Sequence, residues 1–225
     1  MRRDFFVTGT DTGVGKTLVT AALLRALRES GLAVAGMKPI AAGAVAGPEG
    51  PANEDALLLQ AESSTRHAYA TVNPCLFEPA IAPHIAAAET GVPIDTDRIK
   101  AAHAALRASA DVVIAEGAGG FLVPLDATRS CAELPALLGM DVILVVGLRL
   151  GCLNHAFLTA EAVAARGLTL AGWVGNSLTP DFPRREANIA TLAARIAAPC
   201  LGIVPWMAQP AVGIAAEALA GAHRL

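Results

Sequence analysis

Phe5-Phe6-Val7-Thr8-Gly9-Thr10-Asp11-Thr12-Gly13-Val14-Gly15-Lys16-Thr17 is the stretch on which the reading of this chain turns. An apolar, strand-like run leads into it, a glycine-rich turn fills it, and an apolar-periodic stretch from Leu18 to Leu27 follows. Strand, glycine turn and helix in that order make a cradle for an anion. The glycines let the backbone curl until several N–H groups face one point, and the positive end of the helix dipole adds its attraction. In such a cradle Lys16 reaches the β and γ phosphates of a nucleoside triphosphate, and the Thr17 hydroxyl ligates the Mg²⁺ that bridges them. Gly13, Val14, Gly15, Lys16 and Thr17 are the nucleotide-binding candidates of this loop. Five residues, Thr10 to Val14, separate Gly9 from Gly15, one more than the common phosphate loop has, and Thr10 holds the usual glycine position. The alternative is a plain strand-to-helix turn with a solvated Lys16; the placement of Lys16-Thr17 at the junction favours the cradle.

Outward from the loop, four runs read as buried parallel strands: Phe5 to Thr8, Asp111 to Ala115, Val142 to Val146 and Leu170 to Val174. Ala33 to Met37 and Leu201 to Val204 are shorter candidates. Alanine-rich segments with helical spacing lie between them, at Thr17 to Glu29, Asp95 to Ala108, Asn154 to Ala165 and Arg185 to Ile196. The alternation predicts an α/β fold, a doubly wound, mostly parallel sheet with helices on both faces, in which a ligand sits at the carboxyl ends of the strands. Residues 1–225 read as one domain. Ala41 to Pro93, rich in Pro and Gly, reads as a long substrate-side excursion with little strand character and one helix-like piece, Asn53 to Glu62.

Chemically capable residues gather where that fold predicts. Lys38-Pro39 follows the second strand, Glu116-Gly117-Ala118-Gly119-Gly120 the third, and Asn176 the fifth. Asp111 to Glu116 resembles a strand whose terminal carboxylate supports Mg²⁺ beside a phosphate loop. The alternative for Glu116 is a helix cap or a solvated loop residue. Asp55 is a candidate second carboxylate, although Asn53-Glu54-Asp55 equally suits an N-cap cluster. Lys38, one of three lysines in the chain, would neutralise charge developing on a transferred phosphoryl group. The helix start after Gly151 offers N–H groups to a second anion, suited to a carboxylate. His84 and His155 have no metal-ligand spacing and read as structural, and Trp173 and Trp206 as core or interface residues.

Composition narrows the function classes. Hydrophobic residues make up 54% and the mean hydropathy is +0.50, yet no run of about 18 uncharged apolar residues exists, so no membrane span is expected. The apolar run behind Met1-Arg2-Arg3-Asp4 is cut short by Gly9 and Asp11, so no secretory signal is expected. Cys75, Cys131, Cys152 and Cys200 form no C-x-x-C pair, which argues against a zinc site or disulfide framework and for a reduced cytoplasm. A net charge of -3 without a basic block argues against a nucleic-acid partner.

Taken in order, Gly9 to Thr17, Lys38-Pro39, Glu116 to Gly120, Gly151-Cys-Leu-Asn-His-Ala156 and Gly172-Trp-Val-Gly-Asn176 resemble dethiobiotin synthetases, over about residues 4 to 210. The resemblance implies a homodimeric, ATP- and Mg²⁺-dependent ligase. Its substrates would be 7,8-diaminononanoate (7,8-diaminopelargonate), CO₂ and ATP. One amine captures CO₂ as a carbamate, the carbamate attacks the γ-phosphate, and the second amine closes the cyclic urea. It further implies that Lys16, Lys38 and Thr12 serve the reacting groups, that Thr17, Asp55 and Glu116 hold Mg²⁺, and that Asn176 and the backbone near Pro205 form the adenine pocket. Gly151, Cys152, Leu153 and Asn154 would receive the carboxylate tail of substrate held mainly by the other subunit. This chain has Ala42 where the family often has a serine, and Gly13 where it often has an acidic residue. A partitioning or septum-site ATPase, a nucleotide-dependent switch, is the alternative of a different class.

Overall fold

The computed structural model describes residues 3–47 and 50–225. Six parallel strands form the central sheet: β1 (Phe5–Gly9), β2 (Val34–Met37), β7 (Val112–Gly120), β8 (Asp141–Leu148), β9 (Leu170–Ser177) and β10 (Cys200–Val204). Their order across the sheet is β10-β9-β8-β1-β7-β2, which seats β1 and the loop it feeds near the middle. Covered on both faces, these strands carry apolar runs rather than alternation; every residue of β1 is buried.

Helices close both faces. α1 (Lys16–Glu29), α2 (Glu54–Glu62) and α9 (Val212–Glu217) cover one, where Val19, Leu23 and Leu59 join Phe5, Val7 and Ile143 in one apolar cluster. On the other face α5 (Thr96–Arg107) and α6 (Glu133–Leu138) pack against Phe6 and Val113. α7 (Cys152–Ala164) and α8 (Arg185–Arg195) cover Leu144, Val146 and the fully buried Trp173 there. The buried Asp4 ties the sheet to α5: it accepts from Val113 N at 2.9 Å and meets His103 Nε2 at 3.0 Å and Arg107 Nε at 2.9 Å.

Two expectations need correction. Glu116 to Gly120 does not follow the third strand but continues it, with Gly120 paired to Gly9 across from β1; Asn176 likewise lies inside β9. Glycine carries no strand signal, yet here its missing side chain is required, because a Cβ on Gly117 would sit 2.8 Å from Phe6 Cζ. The second correction concerns the excursion. β3 (Ile40–Ala42) pairs in parallel with β6 (Cys75–Phe77), and β4 (Val45–Gly47) pairs antiparallel with β5 (Gly50–Ala52). Around them lie α2, α3 (Tyr69–Val72) and α4 (Pro83–Thr90). Strands of three residues are too short to show a period of two, so the sequence pattern passes over them.

Candidate active site

The loop after β1 wraps a buried lysine. Lys16 is the first residue of α1, and its Nζ donates to the Asp11 carbonyl at 3.0 Å, curling over the loop it belongs to. Burial lowers its pKa; the nearby Glu116 works against that shift and the like charge of Lys38 adds to it. Gly15 caps the helix at φ 87, a left-handed conformation, and a Cβ there would lie 2.1 Å from Asn176 Nδ2. That same Nδ2 donates to the Val14 carbonyl at 2.9 Å, so β9 braces the loop from its far side. Asp11 is braced as well, by Arg149 Nη2 at 2.7 Å from the turn after β8, a contact the sequence offered no signal for.

Beside the loop, β7 and β2 bring opposite charges together out of water. Glu116 is 1% exposed and Lys38 4%. Lys38 Nζ donates to Glu116 Oε1 at 2.6 Å and to Asp55 Oδ2 at 2.8 Å, while the Thr17 hydroxyl donates to Glu116 Oε1 at 3.0 Å. Burial alone would lower the Lys38 pKa, but the charges of Glu116 and Asp55 outweigh it and hold the ammonium above its ordinary value. For Asp55, burial pushes upward and Lys38 more than reverses it, leaving the carboxyl below the usual range. Asp55 is therefore both of the things its sequence context allowed: it lies in the first turn capped by Asn53, and it faces the lysine.

Two cavities flank this core. One of about 470 Å³ is lined by Thr12, Lys38, Ala42, Asn53, Asp55, Gly119 and the turn Ala80 to Pro83. The other, about 220 Å³, lies across the loop and is lined by Gly13, Gly15, Asn176, Pro205 and Trp206. Trp206 is thus a half-exposed wall of a cavity, not a core residue as Trp173 is. Gly151, Leu153 and Asn154 line neither cavity, and Cys152 is buried in the core beneath α7.

The donor set suits a magnesium ion. Glu116 Oε2 is buried and has no hydrogen-bond partner, next to the Thr17 hydroxyl on its other oxygen. Among the described residues no group of three or more His, Cys, Asp or Glu side chains is placed to hold a metal alone. A cation here must share its shell with phosphate and water oxygens, as Mg²⁺ does.

Residues 3–211 match a family model described as an AAA domain. The chain is 50% identical over 214 residues to the ATP-dependent dethiobiotin synthetase BioD of Xanthomonas oryzae pv. oryzae (strain PXO99A), covering 95% of each chain. It is 54% identical over 208 residues to that of Aromatoleum aromaticum (strain DSM 19018 / LMG 30748 / EbN1), covering 92% of each. The chain belongs to the ATP-dependent dethiobiotin synthetase family. The cell division ATPase MinD of Pyrococcus furiosus superposes with a TM-score of 0.59 over 100% of this chain and 98% of its own, at 20% identity. MinD of Pyrococcus horikoshii complexed with Mg-ADP gives 0.59 over 99% and 94%, at 18%. Those similarities show the fold, the P-loop type. Among the described residues no helix is long and apolar enough to cross a membrane.

Proposed function

We propose that this chain, acting as one synthetase unit across residues 1–225, closes the ureido ring of dethiobiotin from 7,8-diaminononanoate, CO₂ and ATP with Mg²⁺, in the cytoplasm. The enzyme is a ligase forming carbon–nitrogen bonds. The observation that carries this reading is the cluster of buried Lys38 and Glu116 with the half-buried Asp55, placed between the phosphate loop and the 470 Å³ cavity. A cavity with a cation at its inner end and Ala42, Ile81 and Val123 on its walls suits an aliphatic diamine whose one amine becomes a carbamate.

The chemistry asks for charge and position rather than a protein nucleophile. The carbamate oxygen bonds to the γ-phosphorus as ADP departs; the second amine then attacks the carbamate carbon, and phosphate leaves as the ring closes. Lys38 holds the carbamate oxygens against the phosphate, and Lys16 swings from the Asp11 carbonyl to the phosphoryl oxygens on which charge accumulates. Thr12, exposed at the cavity mouth, contacts the amine side. When bound by Thr17, Asp55 and Glu116, Mg²⁺ neutralises the phosphate oxygens. Asn176 and the Pro205 backbone receive adenine in the smaller cavity.

The enzyme works as a homodimer. Gly151, Leu153 and Asn154 do not line their own protomer's cavity, and Leu150 beside them is 94% exposed, which supports a partner protomer receiving this helix start at its substrate carboxylate. The deciding experiment is phosphate release from MgATP in bicarbonate buffer, with and without the diamine. Release that depends on the diamine supports the ligase; release that ignores it returns the chain to an ATPase of another kind.

A further inference from the structure

Lys38 and Asp55 come from different parts of the chain, and the structure closes a ring of hydrogen bonds around them. From the Lys38 carbonyl the ring runs to Asn73, whose Nδ2 donates to it at 2.7 Å. Asn73 Oδ1 accepts from the Tyr69 hydroxyl at 2.9 Å, and that hydroxyl accepts from the Asn53 backbone N–H at 2.7 Å. Asn53 Oδ1 accepts from the Asp55 N–H at 3.1 Å, starting the helix that carries Asp55. The Asp55 carboxylate then returns to Lys38 Nζ at 2.8 Å. A second strut, from Lys38 N–H to the Val72 carbonyl at 2.8 Å, fixes the same strand end to α3.

The Tyr69 hydroxyl joins the two halves of this ring, donating to Asn73 on the lysine side and accepting from Asn53 on the carboxylate side. Asn73 is 2% exposed, so its amide has no water to replace a lost partner. Tyr69 is the only tyrosine of the chain. It touches neither of the reacting-side groups directly and does not line the 470 Å³ cavity.

We infer that Tyr69, acting with Asn73, is a positioning residue that sets the distance between the Lys38 ammonium and the Asp55 carboxylate, and so the productive geometry of the carbamate and phosphoryl groups. This rests on the proposed synthetase reaction for its kinetic consequence but not for its structural one.

The test uses Tyr69→Phe, which removes one oxygen and keeps the ring packing, with Asn73→Ser as a second break at another joint should either variant fold poorly. The chain has three lysines, so side-chain NMR of lysine-labelled full-length protein yields few enough signals to assign by Lys100→Arg and Lys16→Arg, the remaining signal being that of Lys38. Expected is a displaced Lys38 ammonium signal with Lys100 unmoved, and a kcat lowered on the order of tenfold with the KM for ATP within about twofold of wild type. A Lys38 signal at its wild-type position in both variants overturns the inference, whatever happens to thermal stability. So does a kcat within about twofold of wild type, in an enzyme whose wild type responds to the diamine. If wild-type phosphate release ignores the diamine, the synthetase reading fails, and the lysine spectrum alone then decides the positioning role.

Discussion

The two cavities on either side of the phosphate loop are built on opposite principles. The larger ends in charge: the buried Lys38 is locked to the buried Glu116 and to the half-buried Asp55 by ion pairs of 2.6 and 2.8 Å, and Lys38 and Asp55 each hold the other in its charged form. The smaller is walled by Trp206, Pro205, Met207 and Leu178, with the Asn176 amide as its main polar side chain. Charge held out of water is expensive and exacting, so the first side is expected to govern rate; apolar walls with one amide tolerate change, so the second is expected to govern affinity.

Replacing Lys16 by Gln tests that division most severely. Turnover should fall by about 10³-fold, the scale of losing a preorganised donor to developing charge, with thermal stability nearly unchanged because the Lys16 ammonium is held by a main-chain carbonyl of its own loop and not by an ion pair within hydrogen-bond distance among the described residues. Near-wild-type phosphate release would remove the loop from the mechanism. For Lys38→Met the expected loss is about 10²-fold in turnover together with about 3 kcal/mol of stability, since Glu116 is left buried and unpaired. Denaturant unfolding that shows no destabilisation would contradict the energetic description of the cluster. Glu116→Gln should raise the Mg²⁺ concentration needed for half-maximal turnover by about tenfold, and an unchanged metal titration would count against its ligand role. On the opposite side, Asn176→Ala should raise the KM for ATP by about fivefold while kcat stays within about twofold; a kcat effect larger than the KM effect would erase the distinction between the two sides.

The smallest effect is a dependence on pH. Lys16 sits below the ordinary lysine value and Lys38 above it. As pH rises, Lys16 loses its proton first, so nucleotide affinity should weaken before pH reaches about 10.4, while the Lys38 pairs persist. The stabilising contribution of Lys38 is fully present below that value and is lost only as pH rises through its raised pKa. That of Asp55 is present above about pH 3.9 and is lost as pH falls through its lowered one. Nucleotide binding measured by titration across the alkaline range, beside unfolding at both extremes, separates the three groups.

Much of the sheet was legible in the sequence because buried parallel strands and their covering helices write long, regular patterns. The loop and Lys38 were legible for a second reason: unusual residue types stand at strand ends, where α/β sheets concentrate chemistry, whereas Glu116 stood out as a lone carboxylate in an apolar run although β7 continues past it. What escaped was held together by single hydrogen bonds across the chain. Tyr69, Asn73 and Asn53 lie in a region of three-residue strands and short turns, and no spacing rule links a tyrosine hydroxyl to an amide four residues on and a backbone N–H sixteen residues back. The Arg149 brace on Asp11 spans 138 positions and was equally silent. The glycines at 117 and 119 misled for the opposite reason, since a turn-forming residue was there to leave room for the side chains of Phe6 and Val123.

The scarcity of lysine has a practical consequence. Of the three, Lys16 and Lys38 are buried beside the phosphate loop, whereas the Lys100 side chain is 49% exposed on α5 and lines neither cavity. Among the lysines an amine-reactive dye or resin should meet Lys100 first, and reagent run at a pH high enough to engage it beside the α-amine should still leave the two buried amines at the proposed site untouched.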